Sequence, residues 1–360
     1  MLLASVPLPA QEAPVPAGTG RYLVGAQMCP IWNGDGRWKA IRPFPDRMPL
    51  LGWYHEGDPA VTDWEVKWAL DHGISFFMVC WYRAKENLGH SPVHALCEHW
   101  LQSLPNSRFG AQLKFAIQWE NANDIACGVA SAADLLENVL PYWIENFFRR
   151  PNYLMDEGRP VLAIYDMRKF SDQLGGEAGA AAVMGKMRAA CRRAGFAGLT
   201  VLGQQCWGAP EAPVEKIKRA GADGTYPYHL PSFEGFPEGP NPPAAAIIAA
   251  QERAWRRTLV LPRIVSVSMG WDSAPWGRMF GRMQWRLTPA EFRELCVRAK
   301  ATLDARTGGG IAERMVLIDA WNEFGEGHYV FPTQEHRFGY LDAIREVFSP
   351  GAKPHTDSVP

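Results

Sequence analysis

Met315-Val316-Leu317-Ile318-Asp319-Ala320-Trp321 runs directly into Asn322-Glu323-Phe324-Gly325-Glu326-Gly327, and the reading of that junction decides the fold. Aliphatic residues dominate the run, which lies between Gly308-Gly309-Gly310 and Gly325. A short apolar run between glycine breaks reads as a strand buried on both faces. The two carboxylates after it stand three positions apart. In a partly dry, Trp-rich cleft, desolvation and mutual repulsion push one such pKa up and leave the other low, so one group donates a proton while the other accepts one. Acidic residues placed here also stabilise the positive N-terminus of a following helix. The junction alone leaves both readings open.

Outward from this strand the chain alternates short apolar runs with amphipathic segments, eight of each. The expected strands are Tyr22–Cys29, Ile74–Trp81, Leu113–Trp119, Pro160–Asp166, Leu199–Gln205, Ala222–Tyr228, Leu261–Met269 and Met315–Trp321. Helical stretches include Thr62–His72, Ser131–Phe148, Glu177–Ala194, Pro243–Arg257 and Pro289–Asp304. Start signals stand at Thr62 ahead of Glu65, Ser131 ahead of Asp134, and Thr288-Pro289 ahead of Glu291. Regular alternation implies a parallel sheet, and eight repeats imply closure into a single (β/α)8 TIM barrel with long, aromatic-rich βα loops. An open doubly wound sheet is the runner-up, but Val24-Gly25-Ala26-Gln27 does not supply its glycine-rich phosphate fingerprint. The expected layout is a flexible Pro/Ala-rich lead-in over 1–20, a barrel over 21–348 and a tail over 349–360.

A barrel enzyme gathers its site at the C-terminal ends of its strands. Polar and aromatic residues do follow the strands here: Trp32 after the first; Trp81 and Tyr82; Trp119, Glu120 and Asn121; Tyr165 and Asp166; Gln204 and Gln205; Tyr226, Tyr228 and His229; Trp271 and Asp272; and finally Trp321, Asn322 and the two glutamates. Such groups hydrogen-bond hydroxyls while flat rings stack on the C–H faces of sugars, although large aromatics more often fill cores. The loop from Pro30 to Val61 is long and carries Trp53 and Tyr54, so it is expected to be an ordered wall of the cleft.

Net charge −1 and pI near 6.8 give no basic field for nucleic acid or an anionic membrane, and point to a neutral substrate. The 15 Trp and 10 Tyr, many outside periodic segments, including Trp207 and Trp276, favour a carbohydrate partner. Seven scattered cysteines make no disulfide framework, and no CxxC or HExxH pattern calls for a metal or other cofactor. His90, His94 and Glu98 have helical spacing but read as a surface helix begun at Pro92. No stretch is apolar enough to insert in a membrane, and the proline-broken start lacks a basic leader region, leaving export and compartment open.

Taken together, Pro49-Leu50-Leu51-Gly52-Trp53-Tyr54, Trp81-Tyr82, Trp119-Glu120-Asn121 and Trp321-Asn322-Glu323-Phe324-Gly325-Glu326-Gly327 resemble the glycoside hydrolase family 99-like proteins. These include WbsX-type proteins of polysaccharide loci and endo-acting α-mannosidases and mannanases. The match runs in order from about Arg21 to Phe348. The resemblance implies a (β/α)8 barrel that cleaves α-mannosidic bonds with retention. Its Asn-Glu-x-x-Glu-Gly segment falls on Glu323 and Glu326. By that resemblance Glu326 is the acid/base and Glu323 a base on the sugar 2-hydroxyl, giving an anhydro-sugar. Ordinary retaining enzymes use one carboxylate as a direct nucleophile, with the carboxyls about 5 Å apart. Phe324-Gly325 stands where the mannosidase branch has Trp-His, and a small residue there is the pattern of the WbsX-type branch.

Three readings follow: a metal-independent glycoside hydrolase, a glycosyltransferase of polysaccharide biosynthesis, and a non-catalytic carbohydrate-binding barrel. Against the transferase, no Asp-x-Asp occurs in the chain. Glu120, Asp166 and Asp272 are reserve carboxylates. Sugar, linkage, endo or exo action and oligomeric state are not legible.

Overall fold

The computed structural model describes residues 12–92, 98–122, 128–204, 212–230, 240–277 and 284–360, so Gln205, Trp207, His94 and Cys97, Cys127 and Cys206 lie outside the described residues. Eight parallel strands form the centre: β1 Leu23–Met28, β2 Phe76–Tyr82, β3 Lys114–Glu120, β4 Arg159–Ile164, β5 Thr200–Gln204, β6 Gly224–Tyr226, β7 Val265–Ser268 and β8 Met315–Asp319. Their spatial order is β6-β5-β4-β3-β2-β1-β8-β7. Thr225 closes the ring, its N–H donating to the Pro262 carbonyl and its own carbonyl accepting from Ile264, each at 2.9 Å. The barrel expected from the alternation is therefore present.

The strands are almost wholly buried, β2 along its entire Phe-Phe-Met-Val-Cys-Trp-Tyr run. Such strands read as continuous apolar runs because helices cover the outside while side chains fill the inside. The expected sixth and seventh strands, Ala222–Tyr228 and Leu261–Met269, shorten to Gly224–Tyr226 and Val265–Ser268. Proline accounts for part of the trimming, because Pro227 and Pro262 have no N–H to give to a ladder.

The first long helix is Pro59–Asp71, and it starts before the expected Thr62. The cap is Asp58, whose side chain accepts from the Ala60 N–H, with Pro59 already in helical geometry behind it. The expected caps Ser131 and Thr288 are confirmed, the latter as a reciprocal box with Glu291. Between Ala132 and Phe148 the helix passes Pro141 by widening into π turns at Leu135–Val139 and Ile144–Phe148.

The loop after β1 is ordered, with a helix at Asp35–Ile41 and a tight turn at Pro45–Arg47. Its Trp32 and Trp38 stack at 4.4 Å and, with Phe324, form an aromatic wall beside the barrel mouth. Described residues near both ends of the chain pack beneath the barrel. Ala17 N–H donates to the Leu70 carbonyl (2.9 Å), and the Ser358 carbonyl accepts from Trp68 Nε1 (2.9 Å). Among the described residues no helix is long and apolar enough to cross a membrane.

Candidate active site

The two glutamates lie on a tight turn beyond β8 and not on a helix. The Glu323 carbonyl accepts from the N–H groups of Glu326 (3.2 Å) and Gly327 (3.0 Å), and the next helix begins only at Gly339. The helix-dipole reading of the pair is thus excluded by position. Gly327 has φ +75°, and a Cβ there would stand 2.7 Å from Asp272 N, so the turn requires glycine. A Cβ on Gly325 would lie 2.0 Å from the Trp276 ring. That indole, stacked on Trp32 at 6.1 Å, fills the space a larger residue would need.

Struts from other elements fix the turn. Buried Arg47 donates to the carbonyls of Phe324 (2.8 Å) and Asp272 (2.9 Å) and pairs with the Asp272 carboxylate. Asn322 donates through Nδ2 to Glu56 (2.6 Å), and its Oδ1 accepts from Cys29 N–H (2.9 Å). Glu56 also accepts from Trp32 N–H (2.8 Å). Burial pushes Glu56 well above the usual carboxylate range. Glu65, buried beneath, accepts from the indoles of Trp100 (2.7 Å) and Trp321 (3.2 Å).

The environments of the pair differ. Glu323 is enclosed, and burial together with the charge of Glu326 raises its pKa to about 7 despite the opposing pull of His328. Glu326 is more open, and its Oε2 accepts from Tyr228 Oη and His328 Nε2, each at 3.0 Å. His328 Nδ1 bonds Asp319 Oδ1 at 2.9 Å, and Asp319 also accepts from Ser268 Oγ. Burial works against a charged His328, but Asp319 and Glu326 outweigh it and lift the imidazole to about 10. Burial brings Asp319 up to about 6 while His328 and Ser268 pull it down. At neutral pH His328 is therefore a cation between two carboxylates, donating to both.

The other expected binding residues divide into two groups. Tyr228, Tyr165, Tyr82 and Glu120 stand at the strand ends around the pair. Tyr165 and Tyr228 meet edge to face at 5.7 Å, and Tyr82 Oη lies 3.2 Å from Cys29 Sγ. Most of the remainder are enclosed by protein, Trp53 and Asp272 being only partly buried. Trp32, Trp81, Trp119, Trp271 and Trp321 have no exposed ring face, and Tyr226 is likewise buried, donating to Gln118 at 3.0 Å. Gln204 is buried and Tyr54 stacks on Phe331 at 5.2 Å, while Trp53 packs on Trp38 at 5.3 Å. Sugar stacking on the five enclosed indoles is corrected by this: they are wall and floor, because neighbouring side chains from loops and helices cover them.

The reserve carboxylates have structural duties. Asp166 caps the helix Met167–Gln173, its N–H and carbonyl gripped by Asn121 at 2.8 and 3.0 Å. Asp272 is tied to Arg47, and Glu120 accepts from Ala122 N–H at 2.8 Å. Sequence reasoning did not find His328, Asp319 or Glu56 as parts of this site, and singled out Trp276 only as one of the loop aromatics. For His328 a signal existed, since it follows Glu326-Gly327 directly.

The chain is a closed (β/α)8 barrel with two carboxylates on the turn after its last strand. Residues 245–344 match the family model described as Glycosyltransferase WbsX. The chain is similar to an endo-α-mannosidase of glycoside hydrolase family 99 from Bacteroides thetaiotaomicron, at TM-score 0.61 and 16% identity over 91% of this chain and 96% of that one. A structure described as a glycoside hydrolase-like protein matches at TM-score 0.61 and 18% identity over 97% and 98% of the two chains. The uncharacterized protein WxcX of Xanthomonas campestris pv. campestris is 24% identical over 88% of this chain, which spans 47% of that relative's length. Over residues 245–344 the chain is thus similar to the WbsX family, and its barrel has the fold of the family 99 structure, in line with the resemblance its motifs carried.

Proposed function

We propose that this barrel is a retaining glycoside hydrolase acting on a polysaccharide or glycan without a metal at its carboxylate pair. One observation carries the reading: two carboxylates share one turn at the strand C-terminal mouth, one enclosed and raised to about 7, the other bonded by cationic His328 and Tyr228. Such a pair titrates as a unit and holds one proton between its two steps. Following the resemblance, Glu326 protonates the leaving oxygen and then activates water, while Glu323 acts on the 2-hydroxyl or on the anomeric carbon. His328, with Asp319 behind it, is the positioning cation that holds Glu326 in place.

The family description supplies a second reading, a glycosyltransferase. Incubating wild type and Glu326→Gln with α-mannans, bacterial polysaccharides and aryl glycosides in EDTA separates them. Released sugar from wild type alone supports the hydrolase. No product without a sugar nucleotide, and transfer with one, favours the transferase; no turnover in either leaves a binding barrel.

A further inference from the structure

Four side chains converge at the opposite end of the barrel from the carboxylate pair. His72 closes the helix Pro59–Asp71 just ahead of β2, and Asp342 lies in the first turn of Gly339–Phe348. His355 and Asp357 come from the segment after that helix. His72 Nε2 is 3.1 Å from His355 Nε2, 3.2 Å from Asp357 Oδ1 and 3.6 Å from Asp342 Oδ1. His355 Nε2 is 3.1 Å from the same Asp357 oxygen, and the ligand atoms of all four lie within 4.8 Å of one another.

We propose that His72, Asp342, His355 and Asp357 form a site for a divalent first-row transition cation of the zinc type, which fastens the C-terminal segment beneath the barrel. Four N and O atoms held at about 2.0–2.1 Å around a tetrahedral ion are about 3.3 Å from each other. The separations here already bracket that value. Two imidazoles with two carboxylates suit zinc, whereas calcium and magnesium take oxygen ligands. The buried His72 ring is also oriented for ligation, because its Nδ1 bonds the Trp68 carbonyl at 2.7 Å, which turns Nε2 toward the other three groups. Phe338 stacks parallel to that ring at 5.7 Å and fixes its plane. Four protein ligands leave no open position, and the N-terminal face of a barrel serves stability, so the ion is structural.

The same four groups also satisfy one another without a cation if His72 is protonated, with one N–H on Trp68 and the other between the aspartates. The two arrangements differ in whether a proton or a metal ion sits at the centre. The test uses the full chain stripped with EDTA and titrated with cobalt(II), read by visible absorption, and with zinc(II), read by calorimetry and thermal unfolding. The expected result is one cation per chain, the intense bands of four-coordinate cobalt, displacement by zinc and a zinc-dependent rise in Tm of several degrees. His355→Ala and Asp357→Asn, both outside the buried core, should each weaken binding at least about tenfold, in line with the loss of a ligand. Glu326→Gln should bind like wild type, whatever becomes of the hydrolase reading. Absence of cobalt bands and of any Tm shift up to millimolar zinc, or binding undiminished in both tail variants, would overturn the site and leave the protonated cluster.

Discussion

The carboxylate pair is legible in its chemistry because each member has a different neighbour. Glu323→Gln and Glu326→Gln should each lower turnover by about 100- to 10,000-fold, the usual worth of a positioned acid or base. A mutant with full activity would remove that residue from the reaction. The pair is competent with one proton, so kcat/KM should be bell-shaped, with the alkaline limb where the last proton leaves, near the value of about 7 at Glu323. His328 depresses that value through its charge. His328→Gln keeps a neutral donor but loses the charge, and should move the alkaline limb to higher pH; a purely structural role would lower activity without moving it. The stability linkage has the opposite dependence on the same cation. The folded pKa of about 10 lies above the unfolded value near 6.5, so the contribution is complete below about 6.5 and disappears as pH rises through about 10. Wild type should therefore lose more stability than His328→Gln between pH 7 and 10. A sugar carrying fluorine in place of the 2-hydroxyl separates the two routes at Glu323: a trapped adduct in mass spectrometry means direct attack, while neither adduct nor turnover means the 2-hydroxyl route.

Among the elements, the turn 322–327 depends on a loop almost three hundred residues upstream in sequence. Glu56→Ala would leave Asn322 Nδ2 and Trp32 N–H buried without their acceptor, at a cost of about 2–5 kcal/mol. Thermal unfolding and kcat should both fall, and Glu56→Gln should recover much of the stability by restoring an acceptor. Equal stability of the Ala variant and wild type would show that the strut is idle. The eight strands and the pair were legible because buried parallel strands write continuous apolar runs, and because the glutamates follow the last of them. The helix start at Asp58-Pro59 was equally written but was overshadowed by the Thr62 pattern. Tertiary facts were not: an enclosed Trp81 and a half-exposed Trp276 look alike in a sequence. His328 acquires its charge because the turn folds it between Asp319 at the end of β8 and Glu326, while barrel closure brings Ser268 on β7 to the same Asp319. The four groups under the barrel are spread from His72 to Asp357, so no spacing pattern announces them.

At the scale of the molecule the two ends of the barrel have separate roles, which makes them separable by experiment. The C-terminal mouth carries the split carboxylates, while the opposite face receives the C-terminal segment and the stretch around Ala17. Trp68 is only 1% exposed, and its indole donates to the Ser358 carbonyl, while Arg345 joins the carbonyls of Asp71 and Lys353. Deleting residues 352–360 would uncover part of Trp68 and His72 and remove those acceptors, a loss of about 1–3 kcal/mol. Measured in EDTA, so that no cation contributes, Tm should fall by a few degrees for a chain of this length. The alkaline limb of kcat/KM should stay where it is, because nothing removed touches Glu323, Glu326 or His328. An unchanged Tm would mean that the segment lies on the barrel without supporting it, and a shifted limb would mean that the two faces are coupled through the barrel interior.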